Sequence, residues 1–371
     1  IPVALTFMPV QFSRLLSRNL FSILPRITRM MSAGDAKRVH LMKTIGTHNG
    51  SFHCDEALAC YLLKLLPEYK DAEVVRTRDQ AELDKCDIVV DVGAVFDPSK
   101  HRYDHHQRSF SETMNSLNSD YPWVTKLSSA GLVYYHFGKQ IVSQILGKEP
   151  EDNITRIIFN KVYENFVEEI DAIDNGVSQY EGKPRYHVSS TISARVGHLN
   201  PSWNEEGIDV QARFTEAMNL VGGEFKDRVE YYNKSWWPAR ELIEEALNKR
   251  KEVDPSGEIM VLARGGCPWK DHLMNLEEEM KIEPTIKFVL FTDQNGSWRV
   301  QAVPESLGSF ESRVPLLEEW RGVRDEELSK KSGIPSCVFV HASGFIGGNK
   351  TYEGALEMAK RTLQGKPTLE T

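Results

Sequence analysis

Short apolar runs and amphipathic stretches alternate in the first quarter of the chain. The amphipathic stretch at residues 55–66 places apolar side chains at helical spacing, and Pro67 ends it. A shorter stretch at residues 79–84 predicts a second helix. Apolar runs predict buried strands at residues 41–46, 73–77 and 87–92. This alternation indicates a parallel α/β sheet, in which ligand-binding residues gather at the carboxyl ends of the strands.

A long helical section follows. Residues 128–146 begin with Ser-Ser-Ala-Gly, which is typical of a capped helix N-terminus. Residues 154–173 are strongly periodic and end near Gly176, and glycine is a common helix stop. Residues 207–251 are charged and mostly helical. Before these helices, the polar stretch at residues 111–123 predicts a flexible loop near the site.

The last third of the chain has the pattern of a second α/β unit. Asp-Gln-Asn-Gly-Ser at residues 293–297 is a hairpin turn signal. A glycine-rich loop is predicted at residues 341–348, followed by a helix at residues 352–363. Apolar runs predict strands at residues 258–263, 285–292, 298–303 and 336–340. We place the linker that precedes this unit within or just after the helical stretch at residues 207–251, near residues 254–257.

Length and charge narrow the classes of protein. At 371 residues the chain exceeds the size at which one hydrophobic core usually stops growing, so two domains are expected. The formal charge of -8 argues against a broadly basic surface that coats nucleic acid. Nucleic-acid binding would therefore be local, in a cleft that uses metal ions. No apolar run approaches the roughly twenty residues of a membrane span, so no membrane partner is expected.

The cysteines indicate a reducing compartment. There are five, an odd number, and none forms a Cys-x-x-Cys pair, which argues against a disulfide framework or a zinc finger. Cys54 lies between two ligand-type residues and is a candidate soft ligand. Because a thiolate suits a set of hard carboxylate ligands poorly, a position in the core is favoured for Cys54.

The N-terminal residues 1–34 contain no Asp or Glu, and four arginines are interspersed with Ser, Leu and Phe. This composition predicts a mitochondrial transit peptide and a location in the matrix. The apolar first ten residues suggest a secretory signal as an alternative, which the cysteine pattern disfavours. Translation from Met30 or Met31 would omit the arginines, so a second pool, such as a nuclear one, is a further hypothesis.

Three separated segments offer His and Asp side chains together. One segment follows the first predicted strand, another is the end of the third strand, and the third is the Asp-His-His sequence. Their ligand-type residues are His48, His53, Asp55, Asp91, Asp104, His105 and His106. Several carboxylates and imidazoles from different segments are what a site for two divalent metal ions requires.

The order of these motifs resembles that of the DHH phosphoesterases. Within that superfamily, three sequences resemble the MYG exonuclease family, and the resemblance runs from about residue 45 to the end. They are His-Asn-Gly-Ser-Phe-His-Cys-Asp-Glu-Ala at residues 48–57, Tyr-Asp-His-His-Gln-Arg-Ser at residues 103–109 and His-Ala-Ser-Gly-Phe-Ile-Gly-Gly at residues 341–348.

The resemblance implies two Mn²⁺ or Mg²⁺ ions, which carboxylate-rich sites with some histidine favour. The first motif of DHH enzymes usually has one His and two Asp, and His53 stands where an acid is usual, so the first ligand set is open there. Asp171 and Asp174 are alternatives for the last acid, and Asp174 is preferred because it precedes Asn-Gly. The implied ligands are His48, His53 and Asp91 for one ion, and Asp55, Asp91, His105 and Asp174 for the other, with Asp91 bridging.

Three further residues are candidates for the catalytic machinery. Asp104 is expected to orient a histidine from outside the ligand set. His106 is expected to contact the scissile phosphate, and Arg108 is a candidate for the same phosphate.

The glycine-rich segment before the last predicted helix is a candidate phosphate grip, because glycines let backbone N–H groups approach an anion. Its place resembles the family's substrate-binding loop. A simple strand-to-helix turn is the alternative. The candidate substrate-binding residues are His341, Gly344, Gly347, Gly348 and Lys350.

The fold class expected is α/β, with a DHH-type parallel-sheet domain, a helical middle section and a smaller C-terminal α/β substrate-binding domain. The predicted boundaries are residues 1–40 for the targeting segment, 41–253 for the metal-binding catalytic domain and 254–371 for the substrate-binding domain. The helical middle section is also compatible with a homodimer.

The resemblance implies a metal-dependent exonuclease that degrades single-stranded RNA or short oligonucleotides from the 3′ end. The residue chemistry by itself indicates only hydrolysis of a phosphoester by metal-activated water. One alternative is a small-phosphate hydrolase, either a pyrophosphatase or a dinucleotide or cyclic dinucleotide phosphodiesterase. The other alternative is a non-catalytic partner protein that keeps the metal site for structure.

Overall fold

The computed structural model describes residues 42–366. Residues 42–366 form one compact unit. The predicted targeting segment, residues 1–40, lies outside the described residues. Across residues 42–366, no helix is long and apolar enough to cross a membrane.

A mostly parallel five-stranded sheet occupies the N-terminal part, and three of its strands are among those that the sequence predicts. Its order is β2-β1-β3-β5-β4, and every pairing is parallel except that of β4 with β5. The strands are β1 Thr44–Thr47, β2 Glu73–Arg76, β3 Ile88–Val90, β4 Phe96–Asp97 and β5 Arg102–Tyr103. Because β1, β3 and β5 are parallel neighbours, the residues that follow them lie along the same edge of the sheet.

Ten α-helices lie between β1 and the first strand of the second sheet within the described residues. The pairs α5–α6 and α8–α9 are each joined by a short π-helical stretch, Tyr163–Val167 and Tyr232–Trp236. The helices are α1 Cys54–Leu65, α2 Gln80–Leu83, α3 Met114–Leu117, α4 Ser129–Leu146, α5 Asn153–Val162, α6 Glu168–Asp174, α7 Ile192–Gly197, α8 Val210–Tyr231, α9 Trp237–Asn248 and α10 Arg250–Val253.

Helix α3 corrects the prediction of a loop at residues 111–123 for Met114–Leu117 only, and the rest of that stretch is irregular. The Thr113 Oγ1 atom accepts a hydrogen bond from the backbone N–H of Ser116 at 2.9 Å, and the Ser116 hydroxyl accepts one from the N–H of Thr113 at 2.8 Å. This reciprocal cap stabilises a single helical turn that has too few residues for a periodic pattern.

The main hydrophobic core lies between the first sheet and helices α1, α4 and α8. Helices α1 and α8 approach closely at Gly222. A Cβ atom there would lie 2.2 Å from the ring of Tyr61, so only glycine allows this contact.

The second five-stranded sheet has the order β6-β7-β8-β10-β9. Only β6 and β7 pair in parallel, and the other pairings are antiparallel. The hairpin between β7 and β8 is confirmed, and the Asp293 carboxylate accepts N–H groups from its turn. The strands are β6 Ile259–Val261, β7 Phe288–Thr292, β8 Trp298–Ala302, β9 Cys337–Val340 and β10 Ile346–Asn349, and the helices are α11 Trp269–Glu279, α12 Asp325–Ser332 and α13 Tyr352–Gln364.

The boundary between the main hydrophobic core and the core under the second sheet lies within the helical stretch from α8 to α9. Trp236 is the last residue of the main core, whereas Ile243 and Leu247 of α9 already pack under the second sheet. This change falls before residues 254–257, where the linker is predicted. The domain boundary itself stays a prediction.

Candidate metal centre

Polar residues follow three neighbouring strands of the first sheet. His48 follows β1, Asp91 follows β3, and Asp104 and His105 follow β5. All four side chains are buried, each at 4 % exposure or less. Because burial removes these groups from water, each needs a polar or ionic partner within the site.

Asp91 lies between two imidazoles. Its Oδ2 atom is 3.4 Å from His48 Nε2, and its Oδ1 atom is 3.3 Å from His105 Nε2. The backbone of Asp91 has φ = 58°, a left-handed conformation that is uncommon for a residue with a side chain. One carboxylate thus faces both halves of the cluster, which is the arrangement that a bridging ligand requires.

The Nε2 atom of His105 is surrounded by carboxylates. It lies 3.1 Å from Asp174 Oδ2, 3.3 Å from Asp91 Oδ1 and 3.6 Å from Asp55 Oδ2. This buried nitrogen is within ion-pair distance of all three carboxylates but makes no well-aligned hydrogen bond among the described residues. On the other side of the ring, Nδ1 lies 3.3 Å from the Asn175 side-chain oxygen, a contact that fixes the ring orientation. Three acids around one imidazole nitrogen form a donor set suited to a divalent cation.

The N-terminus of α4 positions two of these acids. The backbone N–H of Ser129 donates to Asp55 Oδ2 at 3.1 Å, and that of Ala130 donates to Asp55 Oδ1. The Ser129 hydroxyl donates to Asp91 Oδ1 at 3.3 Å. Burial, together with the charges of Asp91 and Asp174, raises the pKa of Asp55 well above its ordinary value. A cation within this cluster would offset that repulsion.

A second group of ligand-type atoms surrounds His48. Its Nε2 atom lies 3.0 Å from Glu56 Oε1, and the nearest ligand atoms of His48, His53 and Glu56 are within 4.8 Å of one another. Burial lowers the pKa of His48, but hydrogen bonds to Asp91 and Glu56 outweigh this effect and raise it to about 10. Glu56 also accepts the backbone N–H of His53 at 3.0 Å, so it caps α1 as well.

Asp104 holds His106 at the wall of the site. Its Oδ1 atom accepts the His106 backbone N–H at 3.0 Å and lies 2.8 Å from His106 Nδ1, while Oδ2 accepts the Ala94 N–H at 2.6 Å. The hydrogen bond to Asp104 raises the pKa of His106. The predicted orienting contact of Asp104 is therefore made to His106, whose side chain is 59 % exposed.

Asp171 lies outside the ligand cluster. Its Oδ1 atom accepts the backbone N–H and the hydroxyl of Ser128 at 2.9 and 2.7 Å, and its Oδ2 accepts the Tyr163 hydroxyl at 2.9 Å. Burial raises the pKa of Asp171 to about 7. Of the two candidate acids, only Asp174 faces His105, whereas Asp171 anchors the start of α4.

An open cavity of about 790 Å³ leads to the cluster. Arg78 is the only Lys or Arg among its described lining residues. The walls include the side chains of His48, His53, Asp55, Asp91, Asp104, His106 and Asp174, with Thr191, Ser193 and Ala194 on the α7 side. Arg108 does not line the cavity, and within residues 42–366 its exposed side chain has no hydrogen bond or ion pair.

The glycine-rich loop predicted at residues 341–348 is partly a strand, because β10 covers Ile346–Asn349, which corrects the prediction for residues 346–348. Gly347 and Gly348 lie in β10, paired on both sides. A Cβ atom at Gly347 would lie 2.8 Å from the Leu316 side chain and 3.0 Å from that of Met358, so close packing restricts this position, whereas one at Gly348 would meet the movable guanidinium of Arg299.

The other candidate substrate-binding residues lie at the ends of that strand. His341 and Lys350 are exposed, and Gly344 has φ = 76° in the turn between β9 and β10. None of the residues predicted to grip phosphate lines the cavity at the metal cluster. Their substrate-binding role stays a prediction.

The family model described as "Uncharacterised protein family (UPF0160)", with the short name MYG1_exonuc, matches residues 44–363. The chain belongs to the MYG1 exonuclease family. It is 61% identical over 333 residues to the MYG1 exonuclease of Bos taurus, covering 89% of this chain and 87% of that protein. It is 61% identical over 320 residues to the MYG1 exonuclease of Homo sapiens, covering 86% and 85%.

The match range confirms the family part of the resemblance, because all three MYG motifs fall within residues 44–363. A solved structure of an uncharacterised protein from Helicobacter pylori is also similar, with a TM-score of 0.25 and 10% identity over 87% of this chain and 99% of that one. A likeness at this level carries no argument about the MYG1 fold.

In this MYG1 family member, three residues that contact the candidate ligands are not indicated as site residues by the sequence. Glu56 sits in the first turn of α1, where a glutamate is commonly a helix cap, so its contact with His48 had no separate signal. Ser129 is far in sequence from the Asp91 that it contacts. Asn175 follows Asp174 directly, and this Asp-Asn-Gly turn was the one available signal.

Proposed function

We propose that this protein is a metal-dependent exonuclease that hydrolyses single-stranded RNA or short oligonucleotides from the 3′ end. The observation that carries the proposal is the cluster of Asp55, Asp91 and Asp174 around the Nε2 atom of His105, beside an open cavity. The relatives named MYG1 exonuclease support the nuclease class. The RNA preference, the direction of degradation and the place among DHH phosphoesterases rest on the motif resemblance.

The donor set fits two Mn²⁺ or Mg²⁺ ions, since hard carboxylates outnumber imidazoles on the His105 side of the cluster. Asp55, Asp91, His105 and Asp174 would hold one ion. His48, His53 and Asp91, with Glu56 beside them, would hold the other. Bound divalent ions supply an activated water and neutralise charge on the phosphate during hydrolysis.

The protein groups position the substrate. His106 lines the cavity and is held by Asp104, so its ring is oriented before a phosphate arrives. In its protonated form the ring donates a hydrogen bond to a phosphate oxygen. Arg78, on the same cavity wall, supplies a fixed positive charge for a phosphate oxygen. Asn175 holds the His105 ring in place.

A small-phosphate hydrolase is the second candidate. A cavity of about 790 Å³ is large enough for a dinucleotide, and its described wall contains a single arginine. Both features suit a short substrate as well as the end of a long strand. Substrate length therefore discriminates between the two candidates.

The test is Mn²⁺-dependent turnover of a 5′-labelled RNA 24-mer, a matching DNA 24-mer, a dinucleotide and pyrophosphate, with Asp91→Asn as the inactive control. A ladder that shortens from the 3′ end of RNA and vanishes in Asp91→Asn is expected. Turnover of only the dinucleotide or pyrophosphate would identify the small-phosphate hydrolase. No turnover of any substrate would favour a non-catalytic metal-binding partner protein.

Location and assembly are part of the same proposal. A mitochondrial matrix location, with a second nuclear pool from a shorter start, is supported by the composition of residues 1–34. Residues 1–40 fused to a fluorescent protein should direct it to the matrix, and a diffuse signal would contradict this. A homodimer would show twice the mass of 42.2 kDa in light scattering.

A further inference from the structure

An exposed segment joins two walls of the cavity. Residues 177–190 contain no helix or strand, and every one of them is exposed. Asp174, just before the segment, and Thr191, just after it, both line the cavity. The segment therefore starts and ends at the rim of the metal centre.

Large apolar and aromatic side chains are concentrated in this segment. Val177, Tyr180, Tyr186 and Val188 are 48%, 49%, 77% and 56% exposed. They are four of the thirteen large hydrophobic side chains exposed within residues 42–366, a density well above that of the remaining surface. Exposed apolar and aromatic side chains this close together along the chain are available to a binding partner.

The same segment is locally basic in a chain of formal charge -8. Lys183 and Arg185 lie between the two tyrosines, and Glu181 is the only acid among residues 177–190. Over the described part of the chain, Lys183, Arg185 and both tyrosines have no hydrogen-bond or ion-pair partner. Two cations and two aromatic rings are thus available to a ligand.

Chain length keeps these groups near the cluster. Tyr180 is six positions after Asp174, so their Cα atoms are at most about 22 Å apart. Tyr186 is five positions before Thr191, which limits the separation of their Cα atoms to about 18 Å. Both rings can therefore meet nucleotides close to the one being cleaved.

We propose that residues 177–190 bind the single-stranded RNA just beyond the scissile bond, with Tyr180 and Tyr186 stacking on bases and Lys183 and Arg185 contacting phosphates. Stacking on aromatic rings tolerates any base, as an enzyme that advances along a strand requires. It also selects unpaired RNA, because bases in a helix do not expose their faces. This inference rests on the proposed function and adds a substrate-length preference to it.

The first test compares the double variant Tyr180→Ala, Tyr186→Ala with wild type on the RNA 24-mer and on a dinucleotide. The expected result is a loss of kcat/KM on the 24-mer on the order of tenfold or more, with the dinucleotide changed less than about twofold. Tyr180→Phe, Tyr186→Phe should restore most of the activity, because a phenyl ring still stacks. Phe310→Ala, an exposed aromatic near the second sheet, is the matched control and should change neither substrate.

The second test measures the salt dependence of 24-mer binding. Replacing both cations, Lys183→Gln and Arg185→Gln, should remove two phosphate contacts. Each contact on a single strand contributes roughly 0.7 to the slope of log affinity against log salt, so the slope should decrease by about 1.4. The control is Lys330→Gln, Lys331→Gln, which removes the same charge from exposed positions on α12. An equal change of slope in both double variants would overturn the proposed contacts.

The outcomes separate this inference from the function on which it rests. If wild type does not degrade RNA, the proposed function and the inference both fail. If wild type degrades the 24-mer and the tyrosine variant does so equally well, only the inference fails, and a protein partner becomes the better occupant of the segment. An equal loss of kcat/KM on the 24-mer and the dinucleotide would also overturn the inference, because it would show that the tyrosines support the metal centre rather than bind the RNA strand.

Discussion

Asp104 and His106 form a pair in which one carboxylate oxygen accepts the backbone N–H of the histidine at 3.0 Å and faces its Nδ1 at 2.8 Å. The second oxygen of Asp104 is bound to the N–H of Ala94. Ala94 and Asp91 both have left-handed backbones, at φ = 54° and 58°, in the loop that follows β3. The pair therefore joins the loop after β3 to the strand end after β5.

Asp104→Asn should lower kcat on RNA by roughly tenfold to a hundredfold, because the amide no longer holds the His106 ring by two charge-assisted contacts. KM should change much less. Steady-state kinetics with the RNA 24-mer measures both. Asp97→Asn is a suitable control, since Asp97 pairs with Ser99 and Lys100 on the surface. Equal kinetics for Asp104→Asn and Asp97→Asn would contradict the orienting role.

Substitutions at Asp171 and Asp174 should affect different properties, the first the stability of the protein and the second its metal binding. Asp171→Ala leaves the donors of Ser128 and Tyr163 without their acceptor and should cost roughly 2–4 kcal/mol of unfolding free energy. Asp174→Ala should leave stability nearly unchanged and weaken Mn²⁺ binding at least about tenfold. Urea unfolding and calorimetric titration measure the two effects. The assignment is wrong if Asp171→Ala is the variant that loses metal.

Replacing each of two adjacent glycines in α8 by alanine should change the stability of the protein in opposite directions. Gly222→Ala forces a Cβ atom against the Tyr61 ring, at 2.2 Å, and should destabilise the protein by roughly 1–3 kcal/mol. Gly223→Ala meets no atom within 4 Å and should stabilise the helix by about 0.5–1 kcal/mol. Thermal unfolding of both variants checks this, and a stable Gly222→Ala protein would refute the close contact of α1 with α8.

His272 should make stability depend on pH. It is buried, its Nε2 pairs with the Trp236 carbonyl at 2.7 Å, and its Nδ1 has no partner among the described residues. Burial lowers the pKa of His272 below its ordinary value of 6.5. The unfolded chain therefore binds the proton more readily, and the stability that His272 contributes is present above that value and is lost as pH falls below it.

The variant His272→Gln keeps a donor for the Trp236 carbonyl and removes the titration. Its unfolding free energy should fall less than that of wild type between pH 7 and pH 5. His187→Gln, at an exposed position, should behave as wild type. Identical pH profiles for His272→Gln and wild type would show that His272 does not titrate on unfolding.

The sequence could predict the strand-end part of the site because that part is local. Asp91 ends an apolar run and His48 follows one, and parallel strands bring such ends together. Glu56 and Ser129 could not be assigned in this way, because their contacts with His48 and Asp91 depend on how α1 and α4 pack. The long-range contacts are set by tertiary packing rather than by any periodic pattern.

The incorrect or open predictions also concern positions whose structure depends on tertiary packing. The glycines at residues 347 and 348 have the composition of a loop, yet they lie in a strand that pairs on both sides, with β8 and with β9. Asp171 and Asp174 lie one helical turn apart, so spacing alone could not decide which faces the cluster. The structure distinguishes them by their contacts, because Asp171 accepts hydrogen bonds from Ser128 and Tyr163, whereas Asp174 faces His105.

Calorimetric titration of the metal-free protein with Mn²⁺ tests the central claim, that the His and Asp cluster binds two metal ions with Asp91 between them. The prediction is two ions per chain for wild type, with loss of at least one in Asp91→Asn and an unfolding profile that shows the variant still folded. A wild-type protein that binds no Mn²⁺, or an Asp91→Asn variant that binds two ions with unchanged affinity, would contradict the account.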